Sequence, residues 1–211
     1  MARQPRIDSA ASPYTILYRC LISRLLNVVI FTCLFLGLLL SACAKPPIFS
    51  DAVLREVDRT VIVRDLVTNP DSYKGRMVEI GGQILQALSE GDEVMMLVRA
   101  LPIRKEPVYG PYEKGRSLGM FVVRFAGRVG TQDSQAGNMI VVIGPVMGAL
   151  PTASLSDVPV RRLTVNAECF HIWRTQGDQI DQFPWQADSR YWPLIEQTYC
   201  AGTSNVILPV S

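Results

Sequence analysis

The chain has 211 residues, with 21 lysines and arginines against 19 acids, one histidine and five cysteines. That length holds one ordinary domain plus targeting sequence, with little room for two full cores. A net charge of +2 argues against a polyanion binder working by bulk electrostatics, and a single histidine excludes multi-histidine metal sites and argues against Ser-His-Asp catalysis.

The N-terminus is basic: Arg3, Arg6, Arg19 and Arg24 stand against Asp8, the only acid before residue 51. An apolar run follows from Leu25 to Leu40 and breaks into Ser41-Ala42-Cys43-Ala44-Lys45-Pro46-Pro47. A basic start, an apolar stretch and small residues at the break are the parts of a secretory signal. The competing reading is an uncleaved transmembrane helix, but the run falls just short of the roughly 17–25 residues a span needs. The ending Leu40-Ser41-Ala42-Cys43 resembles the bacterial lipobox, in which signal peptidase II cuts before a cysteine whose sulfur already carries diacylglycerol. A thiol is needed for the thioether, and small side chains before it let the peptidase reach the bond. Residues 1–42 are therefore read as a signal peptide cleaved between Ala42 and Cys43. The covalent diacylglycerol and N-acyl lipid on Cys43 are the only prosthetic groups expected, with no cofactor or metal. Removal of four arginines and one aspartate leaves the rest near −1, so the lipid and not charge must hold the membrane. Ala44, where an Asp favours inner-membrane retention in enterobacterial lipoproteins, points to the outer membrane, with the domain facing the periplasm.

Cys20 and Cys33 leave with the leader and Cys43 is lipidated, so Cys169 and Cys200 remain. Two thiols in an oxidising compartment suggest a bridge between the C-terminal tail and the body. Two separate buried cysteines are the alternative.

Along the exported chain, residues 43–58 read as a lipidated N-terminus and tether with a charged, short-helical end. Val61–Thr68 predicts one or two helical turns burying Val63, Leu66 and Val67, stopped by Asn69-Pro70. Residues 71–75 turn the chain. Five β-like segments follow. Met77–Leu85 alternates Val78, Ile80 and Ile84 against Glu79 and Gln83, with Gly81-Gly82 predicting a bulge or sharp coil. Glu93–Leu101 is apolar on both faces. Ser117–Arg128 and Met139–Val146 are the third and fourth. Arg162–Trp173 is the clearest, with Leu163, Val165, Ala167, Cys169, His171 and Trp173 on one face. The fold class is mainly β: a small five-stranded coiled barrel, OB-like, over residues 59–175, with Val78, Ile80, Val98, Val122, Val141, Leu163 and Val165 in its core. Residues 176–211 read as a C-terminal aromatic tail packed on it, carrying Trp185, Tyr191 and Trp192.

Leu66-Val67-Thr68-Asn69-Pro70-Asp71-Ser72-Tyr73-Lys74-Gly75 followed by Val78-Glu79-Ile80-Gly81-Gly82-Gln83-Ile84 resembles the opening motif of the Slp family of outer-membrane lipoproteins. The pattern continues through Pro102, Ser117-Leu118-Gly119-Met120-Phe121, Val141-Val142-Ile143-Gly144, Pro159, Leu163-Thr164-Val165 and Trp173. Each element is weak alone, and their order and spacing carry the resemblance over about residues 60–173. Gly130–Gly137 departs from it, being shorter than the family's segment and lacking its usual Asp-Pro and Tyr. The resemblance implies an envelope lipoprotein associated with starvation and stress.

The 102–116 connection carries Arg104, Lys105, Tyr109, Tyr112, Lys114 and Arg116, a basic and aromatic set suited to anionic glycan or phospholipid headgroups. Export argues against nucleic acid, Glu106 and Glu113 dilute the charge, and a solvated loop is the plainer reading. His171 has no evident third group to orient it as a catalytic base. Met95, Met96, Met120, Met139 and Met147 read as core filling rather than a soft-metal site. Two roles remain: a non-catalytic outer-membrane lipoprotein supporting membrane integrity or stress response through envelope partners, or a lipid-tethered module binding an envelope glycan, lipid or other small ligand.

Overall fold

The computed structural model describes residues 48–106, 108–112, 114, 116–151, 160–183 and 194–202. Two compact units divide the chain, residues 1–46 and 47–211, and everything below belongs to the second. Ser50 opens helix α1 (Asp51–Glu56), its hydroxyl accepting the Val53 N–H at 3.4 Å. Helix α2 (Val63–Thr68) stops at Asn69-Pro70, where a 3-10 turn (Pro70–Tyr73) takes over. Proline at 70 disfavours helical backbone at Asn69, which sits at φ −129°, ψ 59°.

The strands are β1 (Met77–Glu90), β2 (Glu93–Leu101), β3 (Ile103–Arg104), β4 (Gly110–Pro111), β5 (Gly119–Ala126), β6 (Met139–Pro151), β7 (Arg161–Asn166), β8 (Cys169–Trp173) and β9 (Glu196–Cys200). Seven of them form one sheet in the order β1-β2-β5-β7-β6-β8-β9, and β1 also pairs with β6. Pairing therefore runs around a ring, β1 to β2, β5, β7, β6 and back to β1. Every pair in it is antiparallel except β5–β7. The β8–β9 pair extends the sheet beyond β6, and β3–β4 is a separate two-stranded hairpin.

Inside the ring, Ile80, Ile84, Met96, Val98, Phe121, Val123, Ile140, Val142, Val165, Phe170 and Ile172 have no measurable exposure. Each large apolar side chain buried this way contributes about 1.5–3 kcal/mol. A second apolar layer lies on the outer face, where Phe49, Leu101, Met139, Val141, Ile143, Trp173 and Ile180 are buried together. Residues from α1 and from the β3–β4 hairpin pack against this layer.

Several expectations need correction. Arg162–Trp173 is two strands, because the alternation slips by one position between Ala167 and Phe170. Leu163, Val165 and Ala167 join the inner core, as do Phe170 and Ile172, whereas Cys169 and Trp173 join the outer layer. At this break the Ala167 N–H bonds to the Arg124 carbonyl and the Glu168 N–H to that of Ile143, so the chain changes partner strands. Val141 lies in the outer layer. Val122 is buried, but Phe121, Val123 and Phe125 are the β5 residues that fill the interior. The glycine pair makes no bulge: the register shift in β1 falls between Ile84 and Gln86. A side chain at Gly82 would collide with the Arg99 carbonyl oxygen, and one at Gly81 would come within 2.7 Å of Ile103 Cγ1. The glycines thus permit close approach of β2 on one side and of the hairpin on the other. Met96 and Met139 are core residues, as expected, while Met120 is 39% exposed.

Candidate functional site

The 102–116 connection is ordered by its own hairpin. Ile103 pairs with Pro111 and Arg104 with Gly110, which lays Tyr109 over the outer layer beside Trp173, ring centroids 6.2 Å apart. The Tyr109 hydroxyl donates to Glu79 Oε1. Burial, then this bond to a carboxylate, pushes its phenol well above the ordinary tyrosine range. Gln83, on the same face, is buried and accepts a 2.7 Å bond from Arg99 Nη2. The polar face of β1, which strand alternation alone assigns to solvent, is thus covered, and its polar groups are paired.

Arg104 is half-buried. Its Nη2 lies 2.9 Å from Asp181 Oδ2, and its guanidinium sits 4.5 Å from the centroid of the Tyr112 ring. The ion pair is about a third exposed at both ends, so it contributes under about 1 kcal/mol and acts mainly to position the hairpin. Lys105, Lys114 and Arg116 are exposed. The six residues therefore split: Arg104, Tyr109 and Tyr112 build the hairpin, and three cations remain at the surface.

His171 does have orienting groups. Its Nδ1 lies 2.7 Å from Thr198 Oγ1, and the Glu196 carboxylate lies 3.4 Å from Nε2 without the alignment of a hydrogen bond. Hydroxyl, imidazole and carboxylate follow the order of a nucleophile, base and orienter. His171 is only 4% exposed, however, and sits edge-on to Trp173 at 4.4 Å, where a substrate would have to displace core. Two residues along, Cys169 and Cys200 face each other across β8–β9 and are joined by a disulfide. Strand β9, which lacks a long apolar pattern, is located by this bridge and by Tyr199, which stacks on Phe170 at 5.0 Å.

The model of the outer membrane lipoprotein Slp family matches residues 40–199. The chain belongs to this family. No curated protein and no solved structure matches it.

The Gly130–Gly137 segment of this Slp-family chain is pinned by a buried carboxylate. Asp133, 2% exposed, accepts 2.6 Å bonds from Arg174 Nε and from the Tyr199 hydroxyl. The Tyr199 oxygen in turn accepts the Gly130 N–H at 3.2 Å. Arg174 also donates to Gln132, and the Asn138 amide donates to the carbonyls of Gln132 and Asp133. Burial, then the Asp133 bond, raises the Tyr199 phenol to about 12. No apolar pattern predicts this network; the isolated acid in a Gly-rich stretch is the one signal the sequence offers.

Ala42 and Cys43 of the expected cleavage and lipidation site, and Trp185, Tyr191 and Trp192 of the aromatic tail, lie outside the described residues.

Proposed function

We propose that this Slp-family chain is a lipid-anchored, non-catalytic lipoprotein whose ring domain faces the periplasm and supports the outer membrane through contacts with envelope proteins. The observation that carries this reading is the extent of the family match. It begins at residue 40, so it takes in Leu40-Ser41-Ala42-Cys43, the lipobox-like sequence, together with the domain. Acylation of Cys43 by diacylglycerol and an N-linked chain such as palmitate would supply several hydrocarbon tails. At ~0.8 kcal/mol per buried methylene, these anchor far more firmly than one. The ring order, with its single parallel pair, supports an OB-like coiled barrel as the description of the fold.

The non-catalytic part of the reading rests on chemistry. His171 is enclosed by the outer layer, and Lys105 and Lys114 are solvated, whereas a lysine base needs burial to lose its proton near neutrality. What the 102–116 connection offers instead is three exposed cations, Lys105, Lys114 and Arg116. Photo-crosslinking residues placed singly at positions 105, 114 and 116 in intact envelopes test this. Discrete envelope-protein adducts, absent when the probe sits at exposed Arg59, are expected. Identical adduct patterns at all four positions would contradict it.

A further inference from the structure

On the opposite side of the ring from the β1 outer layer's polar pairs, the outer faces of β5 and β7 carry a different arrangement. Phe121 pairs with Leu163 in the parallel β5–β7 ladder, so Met120 and Arg162, one position earlier on each strand, stand together on the outward side. The end of α2 and the 3-10 turn form the facing wall, enclosing a groove of about 480 Å³. That volume lies within the range of small-molecule sites and is far larger than a bare ion requires.

The charges in the groove are unequally matched. Asp71 accepts the Ala149 N–H at 2.9 Å and lies 3.5 Å from Arg161 Nη2, and Arg161 also donates to the Ala149 carbonyl at 2.9 and 3.1 Å. Asp71 and Arg161 therefore offset each other. Among the described residues Arg162 has no such counterpart. Its Nε is buried without a hydrogen-bond partner, and no described carboxylate comes within ion-pair distance of its guanidinium. A buried cationic donor left unpaired costs stability, and the groove beside it also carries the neutral donors Asn69 and Ser72 and the apolar side chains of Val67 and Met120.

We propose that this groove binds a small organic anion through a phosphodiester group, with Arg162 as the anchoring cation. The described lining residues, Asp71, Arg161 and Arg162, carry a net single positive charge, which matches a singly charged group. The guanidinium fork suits tetrahedral oxyanions, and four phosphodiester oxygens use the surplus of donors better than a carboxylate's two. The apolar wall formed by Val67 and Met120 contacts the organic body. The same chemistry belongs to a phospholipid headgroup and to a free glycerophosphodiester.

The test is isothermal titration of the full chain, purified in nonionic detergent, with glycerophosphoglycerol and separately with phosphatidylglycerol in mixed micelles. Saturable binding of the free compound identifies a soluble ligand, and binding in the micelle arm alone identifies a headgroup at the membrane surface; either supports the site. Arg162→Gln should weaken binding at least tenfold and Arg162→Lys less, with binding falling as salt rises. Met120→Glu places an opposing charge at the exposed rim and should weaken binding as well, with the melting midpoint unchanged. Absence of binding to both probes, succinate binding as tightly as the phosphodiester, or affinity unmoved by Arg162→Gln and Met120→Glu would each overturn the proposal.

Discussion

Both faces of the sheet around β1, β6 and β8 are buried, but by different means. The inner face is apolar nearly throughout, with Ile80, Val98, Ile140, Phe170 and Ile172 in one buried cluster. The outer face mixes Trp173, Val141 and Ile143 with Glu79, Gln83 and His171, each of which has a polar neighbour: Tyr109, Arg99 and Thr198. Strand alternation records which residues share a face; it does not record whether a polar face is wet. Here the second face is covered by a hairpin and an N-terminal helix, and its polar groups are paired by Tyr109 of the hairpin, Arg99 of β2 and Thr198 of β9.

The sharpest way to break the comparison is to put a charge into the inner layer. Val165→Asp sets an unpaired carboxylate in the apolar interior and should remove the folded state, a loss beyond about 4 kcal/mol. Circular dichroism should show no cooperative melt.

Next in size is the covalent tie. The Cys169–Cys200 bridge spans a sequence separation of 31, for which chain-entropy arguments give about 2–4 kcal/mol. Replacing both cysteines by serine should lower the denaturant midpoint by that equivalent with an intact fold. The two thiols of the native protein should be unreactive to labelling after unfolding without reductant.

The carboxylate at 133 follows. Asp133→Asn removes the charge that Arg174 and Tyr199 share, and should cost about 2–3 kcal/mol, since the Arg174 side chain is itself partly solvated. This network also sets an alkaline limit. Tyr199 is raised to about 12 from an ordinary value of 10.0, so its contribution is fully present below pH 10. The unfolded chain then loses the proton first, and that contribution disappears as pH climbs from 10 to 12. Melting midpoints taken across that window should fall with pH.

The smallest effect belongs to the outer layer's polar pairs. Tyr109→Phe deletes the hydroxyl donated to Glu79 and should cost about 1–2 kcal/mol, because the carboxylate loses a partner in a covered site. If instead the variant melts like the parent, the outer face is wetter than described.

These contrasts explain what the sequence makes legible. Helix α2 with its Asn69-Pro70 stop and four of the strand cores are visible because apolar periodicity and proline chemistry are local. Strand β2 coincides with its expected bounds, Glu93–Leu101. The Cys169–Cys200 bridge is one of two readings the cysteine pattern leaves open, and the structure forms it. The split of residues 162–173 was hidden, because a one-residue slip leaves composition unchanged while reversing every face after it. So were the hairpin and β9, two short elements whose order comes from Tyr109, Arg104 and the disulfide rather than from propensity. The Arg104–Arg116 set was legible as residues but not as two groups, since only tertiary contacts with Glu79 and Asp181 divide it.

The central claim, a ring domain tethered by lipid at Cys43, is tested most directly by mass spectrometry of the N-terminal peptide of protein extracted from membranes. The expected peptide begins at Cys43 and carries a diacylglyceryl thioether and an N-acyl chain, and Cys43→Ala should leave the leader uncut. An unmodified Cys43, or an N-terminus elsewhere in the chain, would contradict the account.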